Sequence, residues 1–264
     1  MPNEDEIIDS IVPEAKPERA VPVLRENNSG KYRHEIKLLL SKAEYVTART
    51  RISAIMRRDE HSLKNGDYFI RSLYFDDIYH SSYWDKIAGV SRRKKFRIRT
   101  YNFSQDVIRL ECKEKNGDRI RKSGTDISLD CAKALINGDC SLLGTEESFV
   151  SAEFRSLWGG KGLRPSVVVD YTREAYVERV GNVRITFDKA LRAGISGVDM
   201  FDEDLLTVPV YPYGMVIMEV KYDDIIPKHL SMLVSSVHGE KIAVSKFTTC
   251  RDVLDNYKPQ TISL

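Results

Sequence analysis

Several familiar kinds of protein chemistry are missing from this sequence. Gly159-Gly160-Lys161 is the nearest approach to a nucleotide P-loop, and it lacks both the leading glycine and the closing Ser or Thr. No G-x-G-x-x-G loop is present, which excludes the dinucleotide fingerprint. The five histidines, His34, His61, His80, His229 and His238, show no H-E-x-x-H spacing. Four cysteines, Cys112, Cys131, Cys140 and Cys250, make no C-x-x-C pair, so a zinc ribbon or a thioredoxin-type motif is excluded. The acidic stretch Asp199–Asp204 lacks the calcium-loop pattern. No apolar run is long enough to span a bilayer as a helix. The start, MPNEDEIIDS, is acidic where a secretory leader would be basic and then apolar. These features predict reduced thiols and a cytoplasmic protein. Charge of one sign is scarce too: 41 Lys and Arg against 39 Asp and Glu leave a net +2. That balance argues against nucleic acid as a partner, though charge segregated by face would still build a local basic site.

The chain has 264 residues, 42% of them hydrophobic, enough for a sizeable core in one domain. Residues 1–29, with scattered prolines and charge and no periodicity, read as a flexible tail before a single domain over 30–264. Strand patterns are predicted at 32–40, 68–75, 94–102, 107–115, 119–128, 166–176, 182–190 and 215–222. Asn116-Gly117 marks a hairpin between the fourth and fifth of these. Ser41 and Glu44 form an S-x-x-E capping box opening a helix. Further helices are predicted at 79–88, at 130–137 with Asp130 as N-cap, and at 146–158 before the Gly-Gly-Lys-Gly sequence. The last two fall at 227–236 and 246–257. About eight strands with short links and interspersed helices predict an α+β fold built on a closed eight-stranded antiparallel β-barrel.

Side chains two apart on a strand share a face. Arg33, Glu35 and Lys37 do so; so do Arg97 and Arg99; Glu111, Lys113 and Lys115; Arg184 and Asp188; and Glu219 and Lys221. Arg71, Lys122 and Arg173 add a cation from each of three further strands. The alternate positions are largely apolar: Phe96 and Ile98, Leu110 and Cys112, Val216, Met218 and Val220. Taken singly, each charged face fits a solvated sheet surface. Taken together, the helices need the apolar faces to pack on, which turns the charged faces inward. Eleven cations then stand against four carboxylates, an excess that calls for an anion. Carboxylate oxygens suit Mg2+ or Mn2+, and Glu219 is the first candidate ligand. Glu35, Glu111 and Asp188 serve equally as charge compensation.

The segments YRHEIK, FIRSLYFDD, KKFRIRTY, RLECKEKNGDRIRKSG, VVVDYTREAY, VRITFDKAL, VIMEVKY and SKF, in this order, resemble the VTC domain. This is the polyphosphate polymerase domain of the vacuolar transporter chaperone family, within the CYTH-like triphosphate tunnel metalloenzymes. The resemblance covers about residues 31–258 and has the look of a stand-alone bacterial-type version. It implies an eight-stranded barrel with a through-going tunnel, and transfer of the ATP γ-phosphate to a growing polyphosphate chain with Mn2+ or Mg2+. Carried over by motif, Arg97, Arg99, Arg173 and Lys221 would clamp the triphosphate, with Glu219 as metal ligand. Lys37, Arg71, Lys113, Lys115, Lys122, Arg184, Ser245 and Lys246 would contact phosphate, and Tyr171 the nucleotide end. The superfamily often opens with E-x-E-x-K, whereas this chain reads Arg33-x-Glu35-x-Lys37, which fits a cation-dominated polymerase. A triphosphatase of the same fold and a non-catalytic polyphosphate-binding module are the rival functions. Any coupling to a membrane would need a separate partner protein, since no direct insertion is expected.

Overall fold

A computed structural model describes residues 31–59, 66–145 and 148–257. The tail expected at 1–29 lies outside the described residues. The chain opens with β1 (Arg33–Leu40), α1 (Lys42–Ser53), β2 (Arg57–Arg58), β3 (Asp67–Asp76) and α2 (Ser81–Ile87). It continues through β4 (Arg92–Tyr101), β5 (Arg109–Asn116), β6 (Arg119–Asp126), α3 (Leu129–Ile136) and α4 (Phe149–Lys161). Then follow β7 (Arg164–Glu178), β8 (Val183–Gly194), β9 (Thr207–Pro209) and β10 (Val216–Tyr222). The described chain ends with α5 (Lys228–Ser235), β11 (Glu240–Lys241) and α6 (Lys246–Tyr257).

Eight of these strands form a closed antiparallel ring in the order β7-β3-β4-β5-β6-β1-β10-β8, and β8 pairs back onto β7. The narrowest seam is β1 with β6, where Arg33 faces Ile120 and His34 faces Arg119. β2, β9 and β11 are short additions to β7, β8 and β1. Closure leaves the long strands without open edges, which is how antiparallel sheets avoid pairing with other chains.

The outward faces are apolar because helices cover them. Leu73, Phe75, Phe96, Ile98, Leu110 and Cys112 pack under Cys131 and Leu135 of α3 and Val150 and Phe154 of α4. Around the ring, Leu38, Leu40, Ile185, Phe187, Met218 and Val220 pack under Ala48 and Ile52 of α1 and Leu230 and Val234 of α5. Each such Leu or Phe is worth about 1.5–3 kcal/mol when buried. The ring interior is divided. At one end the inward positions Leu39, Ile70, Val167, Val169, Leu191, Ala193 and Ile217 are apolar, and α6 docks Phe247, Cys250, Val253 and Leu254 onto them. The rest of the interior is charged.

Local signals explain most of the helix ends. Ser41 caps α1 with both capping-box hydrogen bonds in place. Gly117, at φ +62°, turns β5 into β6. Two expected boundaries need correction. Ser128, not Asp130, caps α3, because its hydroxyl accepts from the Cys131 N–H. α4 runs through Gly159 and Gly160 and stops at Gly162, the residue that adopts the left-handed conformation. Its cap is Ser148, and Glu146 lies outside the described residues.

Candidate active site

The charged part of the interior encloses about 360 Å³. Among the described residues sixteen Lys and Arg line it against three carboxylates, Glu35, Asp118 and Glu219. Glu111 and Asp188, both buried, support lining cations from behind, so the excess persists.

Three buried carboxylates organise the cations. Glu111 on β5 holds Arg97 at 2.7 Å and Lys122 at 3.1 Å, one on each adjoining strand. Asp188 on β8 receives Arg173 Nε at 2.6 Å and Nη2 at 2.7 Å, a bidentate pair across the β7–β8 ladder. The same carboxylate takes Lys246 Nζ at 2.5 Å, which fastens the start of α6 to the ring wall. Glu219 on β10 faces Lys246 at 2.7 Å, Lys221 at 2.9 Å, Lys37 at 3.3 Å and Arg173 at 3.7 Å. Burial pushes the Glu219 carboxyl up, but Lys221, Lys246 and Lys37 hold it well below the usual range, so it stays ionised. Glu35 sits 3.1 Å from Lys113; burial raises its carboxyl, while Lys113 and Lys37 pull it down to about 2.

Tyr171 lies among these cations. Its hydroxyl accepts from Arg99 Nη2 at 3.2 Å, and the Lys246 Nζ stands 5.0 Å from its ring centroid. Burial raises the phenol, yet Arg173 and Arg99 more than offset this and hold it below the ordinary tyrosine value. Arg97 donates to the Tyr74 hydroxyl at 2.8 Å. At another part of the wall, Arg184 pairs with Asp59 at 2.7 Å and donates to the Tyr68 hydroxyl at 3.1 Å. Farther along, carboxylates thin out: burial pushes Lys113 down to about 7 and lowers Lys86, Lys115 and Arg93 as well.

Of the residues singled out from sequence, Lys37, Arg97, Arg99, Lys113, Lys115, Lys122, Tyr171, Arg173, Arg184, Glu219, Lys221, Ser245 and Lys246 all line this one cavity. Arg71 does not. Ile70, Ser72 and Tyr74 are the inward residues of β3, so Arg71 points to the opposite face. There it makes a bidentate pair with Asp170, its direct cross-strand partner, at 2.8 and 2.9 Å, and donates to the Asp202 carbonyl. Its neutralised charge serves packing of the 195–206 segment instead of the cavity. Sequence reasoning passed over Tyr74, Arg93 and Lys95, although extending the Arg97–Arg99 alternation backwards reaches Lys95 and Arg93. Lys31, Lys86 and Lys241 also line the cavity, from outside the ring strands, where no alternation marks them.

Among the described residues no group of three or more His, Cys, Asp and Glu is arranged to hold a metal ion. Glu219 and Glu35 are both ionised and face the cavity, so either offers oxygens suited to a hard cation. An ion carried in by phosphate oxygens commonly needs only one or two carboxylates.

The VTC domain family matches residues 32–255, nearly the whole described chain. The chain belongs to the VTC domain family. No curated protein matches it in sequence. Among solved structures, HpAC1 from Hippeastrum, assigned as an adenylyl cyclase and reported to have a dominant triphosphatase activity, aligns with a TM-score of 0.52 at 16% identity. That alignment covers 84% of this chain and 96% of the other. A Bacillus halodurans protein assigned as an adenylate cyclase aligns with a TM-score of 0.51 at 12% identity, covering 82% and 95%. These similarities place the VTC domain described here on the closed-ring fold they share. No helix among the described residues is long and apolar enough to cross a membrane.

Proposed function

We propose that this VTC domain is an ATP-dependent polyphosphate polymerase that transfers the ATP γ-phosphate to the end of a phosphate chain held in the ring. The observation that carries it is the cavity itself, lined among the described residues by sixteen cations against three carboxylates. Unpaired buried cations are costly, so such a wall needs a polyanion to complete it.

Phosphoryl transfer asks a protein mainly to align groups and neutralise charge on the transferred oxygens. Arg97, Arg99 and Arg173 offer planar forks held by Glu111, Tyr171 and Asp188, so little ordering is left for the moment of reaction. Lys221 and Lys246, which both rest on Glu219, supply point charges beside them. Glu219 would hold Mn2+ or Mg2+ arriving with the nucleotide, and the bound ion would neutralise phosphoryl oxygens. The acceptor, a terminal phosphate, is already ionised at neutral pH, so no general base is required. Tyr171 borders the nucleotide end, and Lys37, Lys113, Lys115, Lys122, Arg184 and Ser245 guide the remaining chain.

A triphosphatase is the second candidate, favoured by the activity reported for HpAC1 on the same fold. Incubation with ATP and Mn2+ separates the two. Acid-stable polymer on a gel together with ADP supports the polymerase; free phosphate without polymer overturns it. Glu219→Ala should lose turnover yet still bind preformed polyphosphate. Binding of polymer with no ADP from the wild type would mark a non-catalytic module.

A further inference from the structure

Lys95 differs from the other inward lysines. It lies two residues before Arg97 on β4, and its direct cross-strand partner on β5 is Lys113. Like charges placed opposite one another in a sheet repel. Its Nζ donates to the Ser245 Oγ at 2.9 Å and the Thr248 Oγ1 at 3.3 Å, and stands 4.7 Å from the Phe247 ring centroid. Among the described residues no carboxylate lies within ion-pair reach of it, whereas Lys37, Lys113, Lys221 and Lys246 each have one.

Among the described residues no carboxylate compensates a charge there. Arg93 on its own strand, Lys113 on β5, Lys37 on β1 and Lys86 on α2 all repel an ammonium at this position. The nearest acidic group on β1, Glu35, is engaged by Lys113, and Lys246 on α6 is turned to Asp188 and Glu219. From β3, Tyr74 lines the cavity with its ring tilted against that of Phe247 at 5.4 Å. Burial, followed by Lys113 and Arg93, pushes the Lys95 amine down to about 6. The amine therefore rests uncharged near neutral pH, held in place by the two hydroxyls and the ring.

We propose, building on the phosphate-chain assignment above, that Lys95 is a binding residue for the chain and takes up a proton from solvent as the chain enters. The Nζ lone pair accepts a proton from water or buffer, the ammonium forms, and no bond to phosphorus is made or broken. A phosphate oxygen supplies the counter-charge that the protein itself withholds, and the new ammonium gives a charge-assisted hydrogen bond in return. The ring of Phe247 favours the same charged form. The empty cavity is thereby spared one repulsive charge that the occupied cavity recovers. Chain affinity accordingly falls as pH rises above the value at which the free amine is charged.

Calorimetric titration of the whole protein with long-chain polyphosphate, in two buffers of different ionisation enthalpy, counts the protons exchanged. The internal phosphates of such a chain are fully ionised, so its own titration contributes little. At about pH 7.5 the wild type should take up about one proton more per chain than Lys95→Arg, whose guanidinium is charged throughout. Lys95→Met, if it keeps the wild-type melting temperature or better, should show the same reduced uptake and weaker binding. Equal uptake in wild type and Lys95→Arg overturns the inference while leaving the phosphate cavity intact. Absence of any polyphosphate binding by the wild type overturns the cavity assignment, and this inference with it.

Discussion

Asp188 shows how one buried side chain sets two cations of the clamp. It is fully covered and takes both Arg173 and Lys246, and the Lys246 pair also fixes where α6 begins. Removing one partner from a buried charge group costs about 3–5 kcal/mol. Asp188→Asn should therefore melt well below the wild type when empty, and added polyphosphate should raise its melting temperature more than it raises that of the wild type. An equal shift in both would mean that the chain does not meet Arg173 and Lys246. Arg71 provides the contrast, since it is just as buried but faces away from the cavity. Arg71→Met leaves Asp170 uncompensated, so unfolding in denaturant should come about 3–5 kcal/mol sooner, with polyphosphate affinity unchanged in the folded fraction. Arg97→Met leaves Glu111 paired with Lys122 and acts on binding: affinity falls about 10- to 100-fold, matching about 1.5–3 kcal/mol for a charged hydrogen bond. The sequence shows a cation at both 71 and 97, and only strand register distinguishes their faces.

Register is also where the elements were least legible. Alternation placed Arg97, Arg99, Lys113 and Glu219 on one face because apolar residues between them leave a single solution. β3 carries no such alternation: from Ile70 to Asp76 it is buried on both faces, by α3 and α4 outside and by α6 within. A strand covered on both sides reads as a continuous run, so the orientation of Arg71 cannot be taken from periodicity. Helix starts were legible where the capping signal has no rival beside it. Ser41 was found because its capping box is local, and Ser41→Ala should lower stability by about 1 kcal/mol in chemical denaturation, with polymer synthesis retained. Ser128 was missed beside Asp130 since both are good caps in sequence and the choice depends on the geometry of the first turn. The division of the ring interior into an α6-filled end and a charged end is likewise tertiary. It brings Ser245 and Thr248 to Lys95 across a separation of about 150 residues.

At the scale of the molecule, the closed ring concentrates unlike costs in one place, and its stability should depend on pH in a way that reports on them. Lys95 and Lys113 hold protons more weakly when folded, down to about 6 and about 7. Between those values and the ordinary lysine range the unfolded chain binds more protons, so their contribution makes the free protein more stable as pH rises. Glu35 acts at the other extreme: folded at about 2, it adds stability that is lost only as pH falls from the normal carboxylate range towards that value. Thermal melts of the empty protein should accordingly rise between neutral and mildly alkaline pH, and saturating polyphosphate should flatten the rise. A melting temperature that falls with pH in the empty protein would contradict the uncompensated lysines.

The central claim is that the charged part of the ring holds a phosphate chain, and the most direct measurement is a crystal structure with tripolyphosphate bound. Successive phosphates should lie between Arg97, Arg99, Arg173 and Lys221, with the chain continuing towards Lys37, Lys113 and Lys95. Phosphate density confined to the outer surface, with these side chains keeping only their contacts within the protein, would contradict it.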